Sequence, residues 1–143
     1  MASSHRPKRP THNVHNGVVQ LRIIGGEWGS RKINFPGVVG LRPTPNRVRE
    51  TLFNWLTPHI IGAKVLDPFA GSGALFIEAL SRGAAQGQAL DTSDIAISSL
   101  KENLGNLRCT TGQAQTADAL RYLETHPASE YDVVFLDPPF NHN

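Results

Sequence analysis

The chain has 143 residues, 39% of them hydrophobic, with a formal net charge of +2 and a single cysteine. That size and composition suit one globular domain with its own core; no apolar run approaches bilayer length and the first residues hold no apolar signal segment, so neither a membrane span nor a secretory leader is expected and the cytoplasm is the expected compartment. The lone Cys109 can form no internal disulfide and stands in no metal-ligand spacing, which agrees with a reducing compartment and no structural zinc, and no metal is expected.

In chain order, residues 1–17 are basic, polar and proline-containing with almost no hydrophobes, and are expected to form a disordered tail. Val19, Leu21 and Ile23 then alternate with Gln20 and Arg22, which predicts a strand over Val18 to Ile24. Gly25-Gly26 break it, and a second strand over Arg31 to Phe35 completes a hairpin. Val48, Leu52, Trp55 and Leu56 recur at helical spacing, so the next element is an amphipathic helix. Thr44 is its expected N-cap, Pro45 its first residue and Thr57-Pro58 its stop, with Arg47, Arg49 and Asn54 on its other side. From Met1 to Glu50 nine Lys/Arg face only Glu27 and Glu50, whereas the remainder carries five basic and ten acidic residues. A basic third on an acidic domain is the footprint expected of a phosphate-backbone surface, with a solvated basic tail as the alternative. Arg22, Arg31 and Lys32 are the hairpin's candidates for such contacts.

After residue 60 the rhythm becomes strand, helix, strand. Lys64 to Asp67 reads as a short buried strand, followed by a glycine turn and a helix over Ala74 to Arg82 with Gly83 in the left-handed cap. Ala89-Leu90-Asp91 ends a second strand. Ile97, Leu100, Leu104 and Leu107 mark a helix over about Asp94 to Leu107. A weak strand near Thr110 to Gln115, a helix over Asp118 to Thr125 and a strong strand over Asp132 to Leu136 follow. Strands alternating with helices predict a parallel sheet of βαβ units with its ligand at the carboxyl ends of the strands. The expected organisation is thus a tail (1–17), a nucleic-acid-binding hairpin and helix (18–60) and a cofactor-binding core (61–143).

Two loops carry chemistry. In Asp67-Pro68-Phe69-Ala70-Gly71-Ser72-Gly73 the glycines allow a tight turn and close backbone approach to a ligand, and the helix start offers free N–H groups. A dinucleotide fingerprint would need a third glycine where Phe76 stands. An acid ahead of the turn suits a cationic ligand without a pyrophosphate, such as the amino-acid and sulfonium end of S-adenosylmethionine. Asp91 can accept ribose hydroxyls or serve a local turn, with Asp94 as a candidate helix cap; Asp118 can accept an adenine amino group or cap the helix behind it. In Asp137-Pro138-Pro139-Phe140 a carboxylate and a carbonyl fixed by the rigid Pro-Pro turn can accept both hydrogens of an exocyclic NH₂, and Phe140 offers a face for stacking a base. The amine itself attacks, so neither a metal nor a cysteine is needed.

Three blocks, RIIGGEWGSRKINFPGVVGLRPTPNRVRETLFNWL (Arg22 to Leu56), VLDPFAGSGALFIEALSRGA (Val65 to Ala84) and DVVFLDPPF (Asp132 to Phe140), resemble the RsmD family of bacterial methyltransferases that make N2-methylguanine in small-subunit ribosomal RNA. The resemblance implies an α/β, Rossmann-like S-adenosylmethionine-dependent methyltransferase fold, a parallel sheet with helices on both faces, extended by the amino-terminal hairpin and helix. It implies that Asp67, Gly71 and Gly73 surround the methionine part of the cofactor, Asp91 the ribose and Asp118 the adenine, and that Asp137 to Phe140 clamp the amine. It also places Arg42, Thr44, Arg47, Arg49 and Glu50 near the mouth of the site, handling RNA. The expected partner is ribosomal RNA or a small-subunit particle, and the expected state a monomer. Two departures stand out: Trp28-Gly29-Ser30 replaces the family's usual Trp-Arg-Gly, and relatives continue for about a third of a domain beyond this motif, so the last strands of the sheet are expected to be missing and the fourth strand to lie at an open edge. The rival readings are a DNA adenine or cytosine amino-methyltransferase, which would have to flip its base from a duplex, and a non-catalytic RNA-binding remnant.

Overall fold

The computed structural model describes residues 13–15, 17–37 and 44–138. Its elements are β1 (Asn13–His15), β2 (Val18–Arg22), β3 (Lys32–Pro36), α1 (Asn46–Ile60), β4 (Lys64–Asp67), α2 (Ala74–Ser81), β5 (Gln86–Asp91), α3 (Asp94–Asn106), β6 (Gly112–Thr116), α4 (Ala119–Thr125), a 3₁₀ turn (Ala128–Glu130) and β7 (Val133–Val134). The first three strands form an antiparallel sheet in the order β1-β2-β3, and the other four a parallel sheet in the order β6-β5-β4-β7. The tail expected to lack order therefore contributes a strand: Asn13–His15 pairs with β2, making a three-stranded sheet of the expected hairpin.

The chain moves from β4 through β5 to β6 on one side and then returns to place β7 on the other side of β4. Right-handed crossovers put α2 and α3 on one face of this sheet and α4 on the other. The reversal makes the carboxyl ends of β4 and β7 a topological switch point, where open α/β sheets bind ligands. The glycine turn follows β4 and Asp137-Pro138 follows β7, so both chemically suggestive loops leave the sheet at that crevice.

Packing around α2 shows how this fold differs from a dinucleotide-binding one. Phe76 is fully buried where that fingerprint would place glycine. Its room comes from the sheet: a Cβ on Gly87 of β5 would stand 2.7 Å from Phe76 Cε1, and one on Gly112 of β6 would stand 2.5 Å from Leu80 Cδ1. The close helix-sheet contact is kept with the small residue moved from helix to strand. Gly87→Ala should accordingly overpack this layer and cost about 1–3 kcal/mol, seen as a lower urea midpoint, with Phe76→Leu in the same chain recovering part of the loss. A midpoint equal to the parent's would reject this account.

The small sheet lies along α2 and α3. Val19, Leu21, Ile23, Ile33 and Phe35 are buried, while the Asn34 carbonyl accepts from Ser99 Oγ (3.3 Å) and Asn103 Nδ2 (2.8 Å), and Arg31 Nη2 donates to the Asn106 carbonyl (3.2 Å). At the turn between β2 and β3, Ser81 Oγ accepts from the Trp28 N–H (2.9 Å) and donates to the Gly25 carbonyl (2.6 Å). Gly26 is required there, because it sits at φ +78° and a Cβ would fall 2.0 Å from the Ser81 carbonyl oxygen.

Several expected details need correction. Helix α1 runs through Pro58 to Ile60, and Pro45 occupies the cap position with no side-chain cap bond, so Thr44 is not the cap. Pro58 is tolerated because the ladder bond it removes, to the Asn54 carbonyl, lies only in the last turn, and Asn54 is exposed to water. The buried face of α1 is Arg49, Phe53 and Ile60 with Leu52 and Leu56 partly covered, whereas Val48 is exposed and Trp55 is 74% exposed. An arginine took a core position that the apolar periodicity could not register. Helix α3 is capped by Ser93, whose Oγ accepts from the Ala96 N–H at 3.1 Å, and not by Asp94. Strand β7 spans only Val133–Val134, although hydrogen bonds from Asp132 N–H to the Lys64 carbonyl (2.7 Å) and from Phe135 N–H to the Leu66 carbonyl (2.9 Å) continue its alignment with β4. It is an edge of the described sheet, and a strand with one bonded neighbour keeps a shorter regular span.

Candidate functional site

The site is built on the ends of three adjacent strands. Asp67, the last residue of β4, is 2% exposed, and its Oδ1 is buried without a hydrogen-bond partner. Burial pushes its carboxyl up to about 7, opposed by a backbone hydrogen bond at Phe69 and reinforced by the negative charges of Asp137 and Asp91. Asp67 ends β4, Asp91 ends its neighbour β5 and Asp137 follows β7 on the other side of β4, so three carboxylates leave adjacent parallel strands at the same edge of the sheet. An unpartnered buried oxygen amid like charges is a strong preorganised acceptor for a cation.

The glycine turn is held by β5. The Ala70 N–H donates to the Leu90 carbonyl (2.8 Å) and the Gly71 N–H to Asp91 Oδ2 (2.9 Å), while Asp91 Oδ1 accepts from the Ser93 N–H (2.9 Å). Asp91 thereby joins the turn after β4 to the start of α3. Each of its oxygens keeps a further lone pair able to accept a hydroxyl. Gly71 and Gly73 have φ of +56° and +85°. For Gly73 the second requirement is packing, since a Cβ would lie 2.5 Å from Leu100 Cδ1 of α3. Ser72 is buried and its Oγ accepts from the Ala74 N–H (3.2 Å), so this hydroxyl shapes the turn; Ala70 is buried and Phe69 half-buried beside it.

Asp118 caps α4, with Oδ2 accepting from the Arg121 N–H at 3.1 Å, which leaves Oδ1 for another donor. Asp137 and Pro138 are exposed at the rim. Pro139, Phe140 and Arg42 lie outside the described residues.

The basic candidates separate into different places. Arg22 and Lys32 are exposed and directly opposed across β2 and β3. Like charges in that position repel unless an anion lies between them. Arg31 is exposed at the carboxyl end of α3, about 18 Å along that helix from its start beside Asp91. Arg47 is exposed in the first turn of α1, and Thr44 is half-buried just before it. Arg49, expected to touch RNA, is 1% exposed and contacts only protein. Burial lowers its pKa and the Glu78 carboxylate opposes that shift.

Glu78 was missed by the sequence reading. It is fully buried and binds both Arg49 (3.2 Å) and Arg82 (2.8 Å). The available signal was a lone charge inside the otherwise apolar run ALFIEALS, because a buried acid demands a partner, and Arg82 stands one turn on. A groove of about 220 Å³ lined by Gly26, Phe53, Thr57, Ile60, Ile61 and Arg82 lies at the opposite end of α2 from the glycine turn and so takes no part in this site. Among the described residues no helix is long and apolar enough to cross a membrane, and no group of three or more His, Cys, Asp or Glu is arranged to hold a metal ion.

Residues 21–143 match the sequence profile of the family described as Conserved hypothetical protein 95. The chain is similar to Ribosomal RNA small subunit methyltransferase D of Escherichia coli (strain K12), with 48% identity over 134 residues, covering 93% of this chain and 65% of that protein. It is 45% identical to the Haemophilus influenzae protein of the same name over 133 residues, covering 90% of this chain and 68% of the relative. The solved structure of yhhF from Escherichia coli superposes with a TM-score of 0.77 at 45% identity, covering 87% of this chain and 67% of that one. The chain thus spans about two thirds of the length of the relatives it matches.

Proposed function

This chain belongs to the Conserved hypothetical protein 95 family, that of the ribosomal RNA small subunit methyltransferase D proteins, and from that premise we propose that it transfers a methyl group from S-adenosylmethionine to the exocyclic N2 amine of a guanine in small-subunit ribosomal RNA. The observation that carries this reading is the placement of Asp67 and Asp91 at the carboxyl ends of β4 and β5 and of Asp137 just beyond β7, three adjacent parallel strands. The residues fit the cofactor's donor set. Asp67 Oδ1 is an open acceptor for its ammonium group, Asp91 keeps lone pairs for the ribose hydroxyls, and Asp118 Oδ1 is left for the adenine amino group. When bound, the cofactor supplies an electrophilic methyl on a sulfonium centre.

The chain's own residues then have one task, to hold an amine in line with that methyl. The lone pair of a guanine N2 is drawn into the ring, so the nitrogen is a poor nucleophile until its hydrogens are held. Asp137 accepts one of them, and the rigid loop it begins sets the second acceptor. As the new bond forms, positive charge grows on the nitrogen; the carboxylate stabilises it and takes the proton. Phe140 stacks the base, and the reaction takes place in the cytoplasm.

Recognition of a large RNA is supported by the spread of cations. Arg47 and Thr44 approach the site from α1, with Arg42 in the segment before them. Arg22, whose carbonyl accepts from Arg49, joins this group with Lys32 paired beside it, while Arg31 stands apart at the carboxyl end of α3. A folded RNA or an assembled particle meets both places.

The test is transfer of labelled methyl from S-adenosylmethionine to naked small-subunit RNA, to the assembled small subunit and to duplex DNA, followed by nucleoside analysis. N2-methylguanine in RNA is the expected product. Product only on DNA would sink the reading in favour of a DNA amino-methyltransferase, and RNA binding without any product or cofactor binding would favour a non-catalytic RNA-binding chain.

A further inference from the structure

Among the described residues Glu78 and Asp67 are the buried acids, and Glu78 lies outside the cofactor turn. Its two oxygens collect four donors from three separate pieces of chain. Oε1 accepts from the Ile24 N–H (3.0 Å) and Arg49 Nη1 (3.2 Å), and Oε2 from the Gly25 N–H (2.9 Å) and Arg82 Nε (2.8 Å). The Arg49 guanidinium carries the connection onward, donating through Nε to the Thr44 carbonyl (3.2 Å) and through Nη2 to the Arg22 carbonyl (3.1 Å) and the Asn46 side chain. The end of β2, the turn after it and the amino end of α1 are therefore all tied to one point in the middle of α2, the helix that begins at the glycine turn.

Stability alone does not require this arrangement. A buried ion pair loses so much solvation that well-packed apolar side chains commonly stabilise as well or better, and what the ionic version adds is geometry. Four directional bonds from the Arg49 guanidinium fix the start of α1, which carries Thr44 and Arg47, against the middle of α2 and the end of β2. We propose that the Glu78–Arg49 pair is a positioning device for the substrate side of the site, setting the register of RNA against the cofactor without touching either. This rests on the RNA methyl-transfer reading for its consequence, but the mechanical linkage can be tested apart from it.

The experiment uses the full chain carrying Glu78→Gln, Arg49→Lys, Arg47→Ala and the Arg49→Lys/Arg47→Ala pair. Arg49→Lys keeps the charge and removes most of the donors, so it serves if Glu78→Gln fails to fold. Amide exchange over residues 49–53, the first bonded amides of α1, should rise about tenfold in Arg49→Lys while exchange in β4 and β5 stays at the parent rate. Affinity for S-adenosylmethionine by calorimetry should stay within about twofold of the parent, while KM for the RNA substrate rises about tenfold. Adding Arg47→Ala to Arg49→Lys should worsen transfer by less than about twofold beyond the poorer single variant, because both changes remove one shared contact. Unchanged exchange at residues 49–53, a parallel loss of cofactor affinity or fully additive effects would overturn the proposal. If the parent chain methylates no RNA, the functional reading falls and the exchange comparison alone decides the linkage.

Discussion

Asp137→Ala should slow methyl transfer by on the order of 10²- to 10³-fold while leaving affinity for S-adenosylmethionine near that of the parent. The asymmetry follows from where the residue stands. Asp137 is exposed at the rim, beyond the end of β7, and its link to the cofactor side is the electrostatic influence it exerts on Asp67. Removing it deletes an acceptor needed only as charge develops on the attacking nitrogen, so the loss belongs in kcat. The deletion also takes a negative charge away from Asp67, which eases ionisation of that carboxyl and, if anything, tightens the hold on a cationic ligand below neutral pH. Asp137→Asn should fall between parent and alanine, since the amide oxygen still accepts a hydrogen but neither balances the charge nor takes the proton. Single-turnover rates with saturating cofactor separate the two quantities. Parent-like turnover in Asp137→Ala would remove the amine-clamp assignment, and an equal drop in cofactor affinity would move Asp137 to the cofactor side.

How much of this was legible beforehand depended on whether a residue's signal was local. The strand Lys64–Asp67 and the helix starting at Ala74 could be read directly, because an apolar run, a glycine turn and helical spacing lie within a few residues of each other. The same holds for Asp91 and Asp118 at strand and helix ends. What the sequence could not supply were roles fixed by partners far along the chain. Arg49 looks like any surface arginine on a basic helix until Glu78, 29 residues later, is seen to bury it. Asn13–His15 looks like part of a polar tail until β2 offers it a ladder, and a strand paired through its backbone needs no apolar side chains of its own. Phe76 could be read as an argument against a dinucleotide turn, but not as a side chain accommodated by Gly87 and Gly112, because that fit belongs to two other strands. The amphipathic reading of α1 held for the helix and for Leu52 and Leu56, which pack against the core, but not for Val48 and Trp55, which stand in solvent.

The affinity for S-adenosylmethionine should depend steeply on pH, falling about tenfold for each unit below about 7. The cause is Asp67. In the folded chain its carboxyl titrates near 7, against 3.8 without the fold, chiefly because burial disfavours the charge and secondarily because Asp137 and Asp91 repel it. Between those values the folded state holds a proton that the unfolded state has lost, so the free protein grows less stable as pH rises from about 4 to about 7 and changes no further on this account above that. A cationic ligand acts in the opposite sense, since it binds the ionised carboxylate and must expel the proton to do so. Calorimetry in buffers of different ionisation enthalpy should therefore register release of close to one proton at pH 6, with Asp67's share of that release fading as pH passes 7. Asp67→Asn should bind weakly at pH 8, and the contribution of this group to the pH dependence and to proton release should vanish. If the parent bound equally well from pH 5 to pH 8, Asp67 would be a structural acid and not the anchor for the cofactor's positive end. The buried, unpartnered Oδ1 argues for the anchor: an isolated carboxylate costs the fold stability near neutral pH, and binding a cation there recovers it.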